Sequence, residues 1–135
     1  MKILVDTNVI LDVLLCRPAF VNDSQRAMEK ALINGDRLFF SSSAATDVYY
    51  LVHKQTSSKQ KAIDAIKQMS NFLIFAPVDG NCILTATLSK LTDYEDAVVD
   101  AVASNINADC ILTRNIDDFK NASHTVITPT EFLAK

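Results

Sequence analysis

Short continuous apolar runs alternate along this chain with stretches whose apolar residues recur every three or four positions. Ile3, Leu4 and Val5 form the first run, too dense for a half-exposed strand, and it stops at Asp6, Thr7 and Asn8. Ile10, Leu11, Leu14 and Leu15 then resume at helical spacing, so the opening reads as buried strand, polar corner and helix. Arg17 and Pro18 mark a break. From Phe20 to Asn34 a second helix places Phe20, Ala27, Met28, Ala31 and Leu32 on one face, with Asn34, Gly35 and Asp36 as its stop. Leu38, Phe39 and Phe40 make another strand, and Ser41, Ser42 and Ser43 are expected to cap a helix carrying Val48, Tyr49, Leu51 and Val52.

The grammar repeats downstream. Thr56, Ser57 and Ser58 introduce a helix striped by Ala62, Ile63, Ile66 and Met69, and residues 72–76 form a strand closed by Pro77. Asp79 can cap a helix bearing Ile83, Leu84, Thr87, Leu88 and Leu91, and the acidic run from Thr92 to Asp96 opens one holding Val98, Val99, Val102 and Ile106. Cys110, Ile111 and Leu112 give a fourth strand, ended by a polar corner from Thr113 to Asp118. Val126 and Ile127 give a fifth strand, and Pro129 suits the first turn of a last helix. Strands separated by helices predict an α/β fold, a parallel sheet covered on both faces with right-handed crossovers.

Composition narrows the class. With 135 residues, the chain fits one domain over 1–135 that buries its own core without staples. Only two glycines and three prolines occur, which excludes long flexible linkers. Cys16, Cys82 and Cys110 are far apart in apolar surroundings, so they read as buried, reduced thiols rather than a disulfide framework or a zinc site. The apolar N-terminus is interrupted by Asp6 and lacks a spanning run, so a soluble, cytoplasmic protein is expected. A net charge of −3 argues against binding nucleic acid by diffuse phosphate neutralisation, though not against meeting phosphate through a metal.

The candidate chemistry is carboxylate chemistry. Asp6 lies at the C-terminal end of the first strand, where open parallel sheets place their ligands, although it could equally serve as a helix cap. Asp117 and Asp118 follow the fourth strand, and Asp96 begins the helix leading into it, so the sheet can bring these acids together. Converging carboxylates repel unless protonated or neutralised, and a hard cation such as Mg²⁺ or Mn²⁺ is the usual neutraliser of an all-oxygen cluster. The competing reading is that Asp93, Glu95 and Asp96 merely complement a helix dipole. Asp100, one turn beyond Asp96, could face the same site, and Asp12 reads as solvated or supporting. His53 and His124 have no ligand-spaced partner and read as surface or capping residues. Among Lys54, Lys59, Lys61 and Arg114, only Arg114 adjoins the acidic corner, which makes it the leading phosphate contact.

The segments VDTNVILD, SSSAATDVYYL, DYEDAVVDAVA, CILTRNIDDF and ITPTEFL together resemble the PIN-domain family, whose commonest bacterial members are VapC-like toxins. That resemblance implies a three-layer α/β/α sandwich with a central five-stranded parallel sheet and a Mg²⁺- or Mn²⁺-dependent endoribonuclease site. It implies a toxin role with a small antitoxin partner, and Tyr49, Tyr50 and Leu51 offer a surface for a homodimer or that partner. Transferred by motif, the acidic positions fall on Asp6, Asp47, Asp96 and Asp118, with Asp6, Asp96 and Asp118 on the metal. Thr7, Asn8, Thr113 and Asn115 would shape the corners around them. Two positions depart from the pattern: Asp47 stands where glutamate is usual, and Asn115 stands where the fourth acid often falls, leaving Asp118 as its substitute. A non-catalytic PIN-like module binding RNA or protein is the alternative. A phosphatase is disfavoured by Asn8, where a second aspartate would be wanted, and a phosphoreceiver by the lack of a lysine after Thr113.

Overall fold

The computed structural model describes residues 1–135. In chain order it comprises β1 (Lys2–Val5), α1 (Thr7–Leu14), α2 (Val21–Ile33), β2 (Arg37–Ser41), α3 (Ala45–Thr56), α4 (Lys59–Met69) and β3 (Ile74–Ala76). There follow α5 (Gly80–Ala86), α6 (Tyr94–Asn105), β4 (Cys110–Leu112), β5 (Thr125–Ile127) and α7 (Pro129–Leu133). Two short 3₁₀ turns, Ser42–Ala44 and Ile116–Phe119, lie in the connections. The five strands are all parallel, in the order β3-β2-β1-β4-β5. Strand order reverses at β1, which pairs β2 on one side and β4 on the other, so the crevice beyond β1 and β4 is the sheet's switch point.

Alternation along each strand divides the core into two layers. Ile3 and Val5 face the layer holding Leu38, Phe40, Cys110 and Leu112, packed by Val9 and Ile10 of α1, Met28 of α2, Val48 of α3, Met69 of α4 and Phe132 of α7. Leu4 faces the opposite layer with Phe39 and Ile111, packed by Cys82 of α5 and Val98, Val99 and Val102 of α6. The register Ile3↔Leu38 and Ile3↔Cys110 puts side chains of one layer beside one another across the sheet. The expected sandwich is therefore present. No helix is long and apolar enough to cross a membrane.

Several boundaries and caps differ from the sequence reading. Ser41, Ser42 and Ser43 do not cap α3: the Ser42 hydroxyl donates to the Ala76 carbonyl at 2.7 Å, Ser41 and Ser43 bond each other, and α3 starts from Ala44 with no side-chain cap. α5 ends at Ala86 rather than reaching Leu91. The Thr87 hydroxyl bonds the Leu84 carbonyl, and the Ser89 hydroxyl accepts from the Leu91 N–H, local bonds that offer the backbone an alternative to helix. The third strand is shorter than residues 72–76, and Cys16 is exposed rather than buried. Asp79, Asp93 and Ser58 cap their helices as their positions predict, and Thr128 with Glu131 closes a capping box around Pro129.

Candidate active site

Both polar corners of the sequence meet at the switch point. Asp6 follows β1 directly; its N–H donates to the Leu112 carbonyl at 2.9 Å, which extends the β1/β4 ladder by one rung. Asp6 also caps α1, accepting from the Thr7 N–H at 2.8 Å through Oδ1. Its other oxygen, Oδ2, accepts from the Thr113 hydroxyl at 2.7 Å, and both residues are buried. Cap and site were the competing readings of Asp6. One carboxylate serves as a cap with one oxygen and reaches the β4 corner with the other.

Beyond β4 the chain turns through Asn115, whose N–H donates to the Thr113 hydroxyl oxygen at 3.1 Å, into the turn Ile116–Phe119. Phe119 is buried in the α6 layer and anchors the far end of that turn. Asn115 and Asp118, three apart, both line an open cavity of about 650 Å³, whereas Asp117 does not line it and borders only a neighbouring depression that Asn115 and Asp118 also touch. The cavity wall also includes Asp6, Thr7 and Asn8 from the first corner, and Asp93, Glu95 and Asp96 from the start of α6. Asp47, Tyr50, Leu51 and Lys54 come from α3, and Arg17 completes the rim. All four acids transferred by motif, Asp6, Asp47, Asp96 and Asp118, thus face one space.

Electrostatics mark the same space. Burial, then the charges of Asp6, Asp93, Asp118 and Glu95, push the Asp96 carboxyl up to about 7. Burial raises Asp6 as well, against the hydrogen bonds from Thr113 and Thr7, which hold it down. Glu95 is raised by burial and then by the charge of Asp47. Six carboxylates share this wall with two basic side chains, Arg17 and Lys54. The donor set is all oxygen, and the Asn8 Oδ1 is a buried acceptor with no hydrogen-bond partner beside the Asp6 corner. No three His, Cys, Asp or Glu side chains are already gathered into a metal-holding group. The carboxylates are near enough for their charges to raise one another, and a hard divalent cation held partly through water tolerates a loosely gathered set. Asp6, Asp96 and Asp118 are the three that could hold one.

Two expected site residues are placed elsewhere. Asp100 points away from the cavity: its carboxylate accepts from the Ser123 N–H at 3.1 Å and meets His124 Nδ1 at 2.8 Å, tying α6 to the segment before β5. His124 is therefore a paired residue, not an isolated one. Arg114 is committed to Asp12 rather than free for phosphate, with Nε 2.8 Å from Oδ2 and the guanidinium carbon 4.0 Å from the Phe20 ring centre. Its neighbour in sequence, Asn115, lines the cavity. Glu95, Arg17 and Tyr50 belong to the cavity wall without having been singled out for it. For Glu95 the available signal was its place one residue before Asp96 in the first turn of α6.

Comparison with known proteins bears on the same elements. Residues 2–117 match the family described as PIN domain. Ribonuclease VapC1 of Aquifex aeolicus (strain VF5) is 31% identical over 136 positions, covering 97% of this chain and 92% of its own. The crystal structure of VapBC2 from Rickettsia felis, bound to a DNA fragment from its promoter, superposes with a TM-score of 0.76 at 16% identity, covering 95% of this chain and 98% of its own. That of VapC20 from Mycobacterium tuberculosis, a sarcin-ricin loop cleaving toxin, gives 0.63 at 16% identity, covering 81% of this chain and 86% of its own. The two structural likenesses speak to the fold alone. With the profile match and the curated relative both spanning β1 to β4 and the carboxylate corners between them, this chain belongs to the PIN-domain family.

Proposed function

We propose that this chain is a Mg²⁺- or Mn²⁺-dependent endoribonuclease and the toxin of a toxin–antitoxin pair. The observation that carries the reading is the mutual charge of Asp6, Asp96 and Asp118 around one cavity at the switch point, with Asp96 raised to about 7. Carboxylates in such a field hold a proton or a cation, and the oxygen donors and the unpartnered Asn8 acceptor fit a hard divalent ion. The ribonuclease name of the Aquifex aeolicus relative supports RNA as the substrate.

When bound, the divalent ion would supply Lewis-acid stabilisation of the scissile phosphate and a water of lowered pKa. The chain's own residues do the rest. Asp6 presents a fixed oxygen pair because Thr113 and the Thr7 N–H hold it from two sides. Asp96 and Asp118 complete the carboxylate set from α6 and from the turn after β4. Lys54, and Arg17 from its pairing with Asp12, give the cavity wall its positive charge, which favours the approach of a phosphate. Glu95, its carboxyl raised by burial and by Asp47, is the wall residue suited to return a proton to the leaving oxygen.

A partner surface adjoins the cavity. Tyr50 is 66% exposed and Leu51 42% exposed, and both also line the site. A homodimer or an antitoxin seated there would bury apolar surface and stand over the cavity rim together. Purified protein should cleave RNA with Mg²⁺ or Mn²⁺ and lose that activity in EDTA, and Asp6→Asn or Asp96→Asn should abolish it. Cleavage at the wild-type rate in either variant would remove the metal-site assignment. RNA binding without metal-dependent cleavage would instead favour a non-catalytic PIN-like module.

A further inference from the structure

We propose that Asp12 and Arg114 are a positioning pair that fixes the corner carrying Asn115 and Asp118 against Asp6, an inference that rests on the metal site proposed above. Asp12 lies in α1, fully buried, and is not part of the cavity wall. Its carboxylate accepts from Arg114 twice, Nε to Oδ2 at 2.8 Å and Nη2 to Oδ1 at 3.3 Å. It also accepts from the Ser24 hydroxyl and from Arg17 Nη1, each at 3.3 Å. The guanidinium plane is covered by Phe20, so the fork is held on its edge and on its face.

This arrangement determines where the corner goes. Arg114 gives this fully buried carboxylate its shortest contact and the only forked one, and weakening the pairing of a buried charge is unfavourable, so Arg114 is tied to α1. Arg114 sits between Thr113, which binds Asp6, and Asn115, which binds back to Thr113. Asp6 and Asp12 are the N-cap and an interior residue of the same helix, six positions and about 9 Å apart along its axis. The corner is thus fastened to one rigid rod at two separated points. A single anchor at Thr113 would set its position and leave it free to swivel. Two anchors, with Phe119 holding the far end, also set the direction in which Asn115 and Asp118 face.

The test uses Arg114→Lys, which keeps the charge and loses the fork and the stacking, and Arg114→Gln, which loses all three; Asp12→Asn is the reciprocal variant if it folds. Two readouts are needed on folded, metal-free protein: hydrogen–deuterium exchange over residues 115–119, and Mn²⁺ affinity by calorimetry. Arg114→Lys should speed exchange at the corner and weaken Mn²⁺ binding by about tenfold, with Arg114→Gln weaker still, the range expected when a residue that orients metal ligands is lost. A role confined to stability would lower the melting temperature and leave Mn²⁺ affinity of the folded protein within about twofold of wild type. That result overturns the pair's positioning role, whether or not exchange is faster. If the wild-type protein itself binds no Mn²⁺, the metal site fails and this inference falls with it, an outcome visible before any variant is made.

Discussion

The hydroxyl of Thr113 donates to Oδ2 of Asp6 across 2.7 Å, joining residues 107 positions apart at the two strand ends where the sheet reverses its order. Thr113 has no exposed surface, so no water replaces that bond if the hydroxyl is removed. The bond also opposes the upward pull of burial on the Asp6 carboxyl. Thr113→Val keeps the shape and deletes the donor, which for a bond to an ionised group is worth about 1.5–3 kcal/mol. Asp6 should then hold its proton to higher pH, and the Mn²⁺ concentration for half-saturation at pH 7 should rise several-fold. Thr113→Ser should restore it. An unchanged titration in Thr113→Val would mean that Asp6 is not part of the ion's site.

Asp96 makes stability of the metal-free protein fall with pH. Its carboxyl is raised from 3.8 to about 7 in the folded protein, so between those values the native state carries a proton that the unfolded chain has released. Stability then decreases as pH climbs through that window and is lowest once Asp96 is ionised above it. Asp96 is half-exposed, so solvent screening reduces the effect to on the order of 1 kcal/mol. Asp96→Asn should make the metal-free protein more stable than wild type at pH 8 and leave it little changed at pH 4. Urea denaturation at the two pH values checks this, and a variant less stable than wild type at pH 8 would contradict the sign. Mn²⁺ added at pH 8 should reverse the wild-type loss, because the cation takes the proton's place.

Asp100 tests the separation of site from scaffold. It accepts from the Ser123 N–H and meets His124, so Asp100→Ala should remove hydrogen bonds to a charged group and cost about 1–3 kcal/mol. Because the cavity wall does not include Asp100, Mn²⁺ affinity and cleavage measured well below the melting temperature should be those of the wild type. Loss of metal binding in folded Asp100→Ala would return this residue to the site.

Local patterns made the sheet legible. Each strand announced itself by an apolar run, and the two polar corners stood out because Asp6 and Thr113 interrupt those runs at the strand ends. Asp6 and Asp118 could be found that way, and Asp96 by its place at the start of the helix leading into β4. What stayed hidden depends on contacts between distant segments. Arg114 looked free because its partner, Asp12, is 102 positions away and reads as an ordinary helix residue. Asp100 shared a helical face with Asp96 on paper, yet α6 is buried over most of its length, and the turn from Asp96 to Asp100 carries it from the cavity to the segment before β5. The serine triplet had the composition of a cap, and the neighbouring strand's Ala76 carbonyl claimed its hydroxyl instead.

The fourth acidic position is the sharpest remaining choice, because Asn115 occupies it in sequence and Asp118 shares its side of the turn. Both line the cavity, and Asp117 does not. The turn Ile116–Phe119 is 3₁₀ helical, with the Asp118 N–H donating to the Asn115 carbonyl at 3.1 Å, and a three-residue repeat stacks 115 and 118 on one edge. An amide offers a neutral oxygen, whereas a carboxylate also offsets the cation's charge, so Asp118 should contribute more to affinity. Asp118 already acts on the other acids: its charge is among the causes that raise both Asp6 and Asp96. Asp118→Asn should therefore have two effects of opposite kind. It should lower the Asp96 carboxyl from about 7, relieving the metal-free protein at neutral pH, and it should raise the Mg²⁺ concentration needed for cleavage. Asp117→Asn should change neither, and Asn115→Asp should be tolerated or tighten binding while raising Asp96 further. The comparison is made by Mg²⁺ titration of cleavage beside an NMR pH titration of the Asp96 carboxyl. Were Asp117→Asn the damaging change and Asp118→Asn silent in both measurements, the catalytic edge of this turn would be the opposite one.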